Sequence, residues 1–156
     1  MASPRIPRDG TITVEDDSGT PISYTVLYED GDYKGPEMME DQSDIAEFYD
    51  RQELYAIRKT QRKSAAFSFS AHLTDVEGWK LKDAFSKTGA YSSGVSTSAS
   101  YGDVWTVKVT WTDGTLSQVL PHCHGKVTFS EGEPGKVEVS GTVFFFTAAE
   151  VAALTS

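Results

Sequence analysis

Short segments of alternating apolar and polar residues, separated by turn residues, dominate this chain. In one of them, Phe67 and Phe69 fall on one face of an extended segment, whereas Ser68 and Ser70 fall on the other. A period of two predicts antiparallel strands with one buried and one solvated face. The same pattern occurs in "TITVED", "ISYTVLYED", "VWTVKVTWT", "TLSQVLPHCHGKVTFSE" and "KVEVSGTVFFF".

Two hairpins are predicted in the first half of the chain. The segment "DDSGTP" joins the first two strands, and its Asp, Gly and Pro residues favour a turn. Further along, "IAEFYDRQELYAIRK" is typical of two short strands about a turn. Between the hairpins, residues 29–44 are polar, acidic and glycine-bearing without any period, so they predict a long loop or projecting arm.

Helix signals occur at two places. Thr74 and Glu77 form a capping box, and Gly89 suits the left-handed position that ends a helix, so a helix is predicted at roughly 75–87. A second capping-box pattern near the C-terminus predicts a short helix at 148–154.

Together these elements predict one domain, residues 1–156, with a mainly β fold. Its expected architecture is an antiparallel β-sandwich or partly open barrel with one flanking α-helix and a long acidic loop.

Cysteine content and hydropathy restrict the compartment. The single cysteine cannot form an internal disulfide, and no apolar run approaches the roughly 20 residues of a membrane helix. The opening "MASPRIPRDG" has no hydrophobic segment after its positive charges, so no secretory signal peptide is expected. We therefore expect a soluble protein made in a reducing compartment.

Charge is unevenly distributed along the chain. The formal net charge is −9, and residues 15–53 hold 13 acidic residues against two basic ones, Lys34 and Arg51. Such a stretch repels nucleic acid, because gripping phosphates requires clustered Lys and Arg. The basic residues of "RKTQRK" form a cluster of that kind, and its ordinary interpretation is a solvated turn between two strands.

The hexapeptide "PHCHGK" places two histidines around the cysteine. On a strand, Cys123 would point to the core with Val119, Val127 and Phe129, whereas His122, His124, Lys126 and Thr128 would point outward. A buried thiol has a raised pKa, which argues against a catalytic thiolate. Zinc needs three or four ligands, and His72 would have to join the pair from a neighbouring strand. We therefore expect no native metal here.

Other chemical motifs are missing from the sequence. It has no Gly-rich phosphate loop and no nucleophile elbow, and "DGDYKGPEMMED" lacks the alternating oxygen ligands of an EF-hand. No catalytic residue, cofactor or enzyme activity is therefore expected.

Three stretches of the chain nevertheless resemble a known family. They are "DGTITVEDDSGTPISYTVLYEDGD", "YAIRKTQRKSAAFSFSAHL" leading through one helix to "TGAYSS", and "HCHGKVTFSEGEPGKVEVSGTVFFF". In their order and in their amino-acid sequence they resemble the major tail tube proteins of long-tailed, siphovirus-type bacteriophages with non-contractile tails. None of the stretches is a catalytic signature, so the resemblance concerns architecture rather than chemistry.

The resemblance implies a virion structural protein that assembles into hexameric rings, which stack into a tube for DNA ejection. It also implies that the subunit sheets join into a continuous inner barrel. The partners implied are further copies of the chain and other tail proteins: the tape measure, terminator and distal tail proteins. DNA would pass through the lumen without specific binding, and the protein would be made in the host cytoplasm, reside in the virion tail and contact no membrane.

Within that frame, acidic and basic residues become candidates for contacts between rings or subunits, where charge complementarity sets register. The acidic candidates are Asp30, Asp32, Glu37, Glu40, Asp41 and Asp44, and the basic ones are Arg58, Lys59, Arg62 and Lys63. His122 and His124 would line the lumen or a subunit contact, where they would make assembly sensitive to pH near neutrality.

Other interpretations stay open from the sequence. A tail terminator or other neck protein would form one ring and stop, and contractile tails use related tubes. A small metal-dependent β-barrel enzyme would use His122 and His124. A carbohydrate-binding module would use Trp105, Trp111 and Tyr101 as an aromatic platform, although both Trp share the inferred core face.

Overall fold

A computed structural model describes residues 11–21, 23–27, 33–38, 42–72, 77–99, 102–112, 116–131 and 135–154. Within these ranges the chain forms eight strands and two α-helices. The strands are β1 (Thr11–Glu15), β2 (Ser23–Leu27), β3 (Ser43–Asp50), β4 (Glu53–Arg62), β5 (Ala65–His72), β6 (Val107–Thr112), β7 (Ser117–Ser130) and β8 (Lys136–Val143). The helices are α1 (Glu77–Ser86) and α2 (Ala148–Ala152), and a short 3-10 turn spans Gly89–Tyr91.

Six strands form one antiparallel sheet in the order β2-β1-β6-β7-β8-β5, and β3 pairs with β4 in a separate two-stranded sheet. The predicted fold class is confirmed: the protein is mainly β, with one flanking helix and a large sheet that is open rather than closed. β2 and β5 are the edge strands of the large sheet in the described part of the chain.

The core lies between one face of the large sheet and helix α1. Phe85 of α1 stacks on Phe67 of β5 and meets Phe69 at a tilt, with ring centroids 6.3 and 6.4 Å apart respectively. The indole nitrogen of Trp105 donates to the Ala84 carbonyl at 2.8 Å. This hydrogen bond joins the segment that precedes β6 to the same helix. The other fully buried members of this core include Ile12, Val14, Leu81, Val107, Val109, Val137, Val139 and Val143.

Strand β7 departs from a simple period of two at Pro121. Val109 pairs with Leu120 while Val107 pairs with Cys123, so β7 carries one extra residue between these pairs. Proline cannot donate to a ladder, and in a central strand it is normally confined to such bulges. As a result Leu120 is fully buried, and the prediction that Val119 points to the core is wrong.

The end of β7 corrects a second prediction. Phe129 is 43% exposed rather than buried, because it lies near the end of a long strand, whereas Val127 packs against the core as expected.

Helix α1 ends at Ser86, so the left-handed residue that follows it is Lys87 and not the predicted Gly89. Lys87 adopts the left-handed conformation at φ 55°, and the Thr88 amide donates to the Asp83 carbonyl at 3.2 Å, which is the Schellman arrangement. Gly89 also has a positive φ, but it begins the following 3-10 turn. The predicted N-cap, Thr74, lies outside the described residues.

The described part of the acidic loop, residues 33–38, is irregular and packs onto the large sheet. Tyr33 stacks on Trp111 with ring centroids 5.6 Å apart, and its hydroxyl donates to Gln118 at 2.6 Å. Lys34 exchanges two backbone hydrogen bonds with Ser68, which covers the middle of the free edge of β5. This part is therefore not a projecting arm, and residues 43–44 belong to β3. Residues 29–32 and 39–41 lie outside the described ranges.

A substitution at Gly141 tests how closely the backbones of β7 and β8 approach each other. Gly141 lies opposite Gly125, and a Cβ there would overlap backbone atoms of His124 and Gly125. Gly141→Ala should lower the free energy of unfolding by about 1–3 kcal/mol in urea titrations, which is the usual cost of overpacking. Gly102→Ala is the control, because its Cβ would meet open space and should not destabilise. Equal stability of the two variants would contradict the close approach.

Candidate assembly surface

The hairpin of β3 and β4 extends away from the rest of the described chain. Its two strands pair only with each other there, and Asp50 pairs with Glu53 across a two-residue turn. Both turn residues, Arg51 and Gln52, have positive φ (52° and 71°), as a type I′ turn requires. The sequence lacks the Asn-Gly pair that usually marks such turns, so only the strand pattern predicted this hairpin.

Large apolar side chains cover the hairpin and are exposed. Ile57, for example, is 61% exposed, and the rings of Phe48 and Tyr55 contact each other at 6.4 Å without burial beneath a second layer. An isolated two-stranded hairpin is at best marginally stable in water, and contiguous exposed apolar surface marks an interaction site. The exposed set comprises Ile45, Phe48, Tyr49, Leu54, Tyr55 and Ile57.

The basic cluster lies on this hairpin. The interpretation as a turn between strands is wrong, because Arg58, Lys59 and Arg62 lie within β4 and Lys63 directly follows it. Arg58 and Lys59 are consecutive, so they project from opposite faces of the hairpin. The cluster is therefore a two-sided strand segment rather than a single patch.

One acid and one base of the predicted contact set meet within the chain. The Lys63 ammonium lies 3.9 Å from the Asp44 carboxylate, and both side chains are about half exposed. A pair this exposed adds little stability. Glu37 is exposed, and its carbonyl accepts a hydrogen bond from the Gln42 side chain at 2.9 Å. Asp30, Asp32, Glu40 and Asp41 lie outside the described residues.

His122 is buried rather than outward-facing. It is only 7% exposed, with Nδ1 3.1 Å from the Thr97 hydroxyl, Nε2 3.0 Å from the Glu150 carboxylate, and its ring 4.6 Å from that of Phe146. Strand periodicity predicted the correct side of the sheet. It could not predict that the C-terminal segment, residues 144–154, crosses that side and covers the ring.

Several hydrogen bonds fix this C-terminal segment. The Phe144 amide donates to the His122 carbonyl at 2.8 Å, and the Val119 amide donates to the Leu154 carbonyl at 3.0 Å. The Glu150 amide donates to the Thr147 hydroxyl, which begins α2 as the capping pattern predicts. Leu154 is fully buried, so the segment is anchored at both ends.

The Thr97, His122 and Glu150 side chains have the order hydroxyl, imidazole, carboxylate that a nucleophilic triad uses. The ring is reversed, however, because the carboxylate faces Nε2 and the hydroxyl faces Nδ1. The Thr97 hydroxyl also lies 2.6 Å from the Thr106 hydroxyl, within a network of buried and half-buried polar groups. We interpret the arrangement as structural.

The histidine pair is not arranged as a metal site. Both ring nitrogens of His122 are engaged, and Nδ1 of His124 donates to the Trp105 carbonyl at 3.0 Å. No group of three or more His, Cys, Asp or Glu residues suited to a metal occurs among the described residues, and the His72 side chain lies outside them.

Cys123 is buried as predicted. It is 1% exposed, and burial raises the pKa of its thiol well above 9.0, so the thiol stays protonated near neutral pH.

The proposed aromatic platform is not formed by the described residues. Trp105 and Trp111 both pack against the core, and Tyr101 lies outside the described ranges. None of the helices in the described part of the chain is long and apolar enough to cross a membrane.

Comparison with known proteins shows the fold alone. The sequence matches no protein-family model and no curated protein. The structure is similar to a chain of the cryo-EM structure of the anti-feeding prophage baseplate, 6-fold symmetrised. The TM-score is 0.54 and the sequence identity 5%, and the match covers 93% of this chain and 95% of that chain. At so low an identity, the similarity concerns the arrangement of elements over almost the entire chain.

The buried histidine yields a testable prediction. His122→Ala should lower the free energy of unfolding by about 2–4 kcal/mol, because Thr97 and Glu150 each lose a hydrogen bond to the imidazole and a cavity forms beneath Phe146. It should also speed carboxypeptidase digestion from residue 154 inward. His124→Ala is the control on the same strand, and it should cost less than about 1 kcal/mol because His124 is exposed. Equal losses for both variants would show that the C-terminal segment does not depend on His122.

Proposed function

We propose that this protein is the subunit of a phage tail tube, a virion structural protein that self-assembles into stacked hexameric rings through which DNA is ejected. The observation that carries the proposal is the β3–β4 hairpin, whose six large apolar side chains are 40–68% exposed and whose strands pair only with each other in the described part of the chain. Such a hairpin becomes stable by pairing with other copies.

The fold similarity supports the same conclusion. The neighbouring chain belongs to a baseplate described as 6-fold symmetrised, and the match spans nearly the whole of both chains. A shared fold does not fix a shared function. Together with the resemblance of the sequence to tail tube proteins, however, it favours a ring-forming tail component and a hexamer.

Strand geometry explains how rings would close. A single copy leaves β2, β3, β4 and part of β5 at sheet edges, which invites uncontrolled pairing. If the hairpins of six copies pair side by side, they form a closed barrel that uses the free edges of β3 and β4. The hairpin of one copy is then one sector of a continuous wall.

Net charge suits a conduit for DNA. Each copy carries −9, so six copies form a strongly negative ring. A negatively charged assembly repels phosphates and lets the duplex slide, whereas a strongly basic lumen would retain the duplex by counterion release. DNA therefore passes without specific recognition.

The proposal places the protein in the virion tail after synthesis in the host cytoplasm. Its partners are further copies of itself and, by the resemblance, the tape measure, terminator and distal tail proteins. A tail terminator or other neck protein is the closest alternative, since it would use the same fold but stop after one ring. A metal-dependent enzyme is disfavoured because both nitrogens of His122 are engaged.

Negative-stain electron microscopy of concentrated protein, with and without seeding by preformed tail fragments, tests the proposal. Hollow tubes or stacked rings of uniform diameter are expected. Isolated rings that never stack would instead indicate a terminator. Monomers alone, even with seeds, would overturn the assembly proposal, and a metal content measurement would then test the enzyme alternative.

Removing the exposed apolar surface should abolish assembly without unfolding the subunit. The double variant Tyr55→Ser, Ile57→Ser changes side chains that are mostly exposed in the single copy, so its melting temperature should stay close to that of the wild type. Light scattering should show no tubes. Val104→Ser is the control, because Val104 is also exposed but lies outside the hairpin. Normal assembly of the double variant would exclude the hairpin as the interface.

Reversal of the basic cluster tests the predicted electrostatic contact. In the proposal, the basic cluster of Arg58, Lys59, Arg62 and Lys63 meets the acidic stretch of a neighbouring subunit. Replacing all four residues by Glu should therefore prevent tube formation, whereas tube formation by the wild type should weaken as the salt concentration rises. Circular dichroism would verify that the variant folds. Tubes formed as readily as by the wild type would remove this contact from the assembly.

A further inference from the structure

A groove of about 780 Å³ crosses the outer face of β5, β8 and β7, opposite the core. Its floor is made of small residues, because Ser68 pairs with Ser140 and Gly141 pairs with Gly125 across neighbouring strands. Segment 33–38 borders one side, and the base of the β3–β4 hairpin borders the other. A volume of this size is within the range of sites that enclose a ligand or several side chains.

An unsatisfied polar group lies at this groove. Gln42 lines it and is only 1% exposed. Its amide nitrogen donates to the Glu37 carbonyl at 2.9 Å, but its Oε1 is buried without a hydrogen-bond partner among the described residues. Buried acceptors are rarely left in this state, and this one lies in the wall of the groove.

The groove is positively charged within an acidic protein. Lys34, Lys63 and Lys126 line it against one carboxylate, Glu37, although Lys63 also lies 3.9 Å from Asp44. The remainder of the lining carries no Asp, Glu, Lys or Arg and consists mostly of small side chains, together with Gln42, Phe67 and His124. Because the chain as a whole carries −9, this concave surface favours an acidic occupant.

The tip of the hairpin has the complementary properties. Residues 47–55 contain Glu47, Asp50 and Glu53 against one base, Arg51, and they present exposed Tyr49, Leu54 and Tyr55. Its type I′ turn is compact, so acidic and aromatic side chains are displayed at the end of the two-stranded hairpin.

We propose that the groove receives the tip of the β3–β4 hairpin from a second copy of this chain. This inference rests on the proposed self-assembly and names the contact that propagates it. The eight residues of β3 extend about 27 Å at the rise of an antiparallel strand. A copy cannot insert its own tip, because the base of that same hairpin borders the groove. When the contact runs in one direction from copy to copy it is head-to-tail, which generates closed rings or stacks.

A charge exchange tests the contact. Lys126→Glu places an acid in the groove, and Glu53→Lys places a base on the tip; both residues are exposed in the single copy, so both variants should fold. Each variant alone brings like charges together and should raise the critical concentration for assembly at least about tenfold. An equimolar mixture should restore assembly, since each tip then meets a groove of opposite charge on the other variant.

The controls change charge elsewhere. Thr128→Glu adds an acid to the same face of β7 beyond the groove, and Glu131→Lys reverses an exposed acid away from the tip; both should assemble as the wild type does. Normal assembly of Lys126→Glu or Glu53→Lys alone would overturn the inference, as would a mixture that stays unassembled. A mixture that stays unassembled would mean that the groove binds another segment or another protein.

Failure of the proposed function is a separate result. If the wild-type protein forms neither rings nor tubes, self-assembly itself is refuted. If the wild type assembles and the two single variants do so equally well, only the pairing of groove and tip is refuted.

Discussion

An open antiparallel sheet must pair or cover its edges, and this constraint organises the protein. The chain covers part of one edge itself, through the backbone bridge from Lys34 to Ser68 on β5. The hairpin of β3 and β4 receives no such cover among the described residues, and its apolar side chains remain in water. Exposed sheet edges and exposed apolar side chains therefore occur on the same element, which is the combination that favours pairing with another chain.

The two faces of β7 show how one strand serves different surroundings. Its bulge at Pro121 shifts the side-chain alternation, so that Leu120 and Cys123 both reach the core. On the other side, His122 lies beneath the C-terminal segment, whereas Lys126 lines the open groove. The bulge therefore does more than absorb a proline, because without it one half of the strand would expose its apolar residues.

The histidine pair illustrates why a motif needs its surroundings. His122 and His124 are two residues apart on one strand, a spacing that would let both bind one metal ion. In the structure, however, the two side chains bind separate partners. Glu150 and Thr97 hold the first, and a backbone carbonyl holds the second. Only the His122 contacts stabilise the attachment of the C-terminal segment. The similarity to a baseplate chain, which covers most of both chains, concerns this same architecture rather than any chemistry.

The sequence by itself determined the mainly β fold, the strands, the hairpin "IAEFYDRQELYAIRK", the buried Cys123 and the C-terminal cap, because periodicity and capping are local properties. Only the tertiary structure decided the rest. Three features depend on which segments meet across the sheet: the burial of His122, the β-bulge at Pro121 that shifts the side-chain alternation, and the groove beside Gln42. Such contacts join residues far apart in the chain, and the period of a strand gives the direction of a side chain but not what covers it.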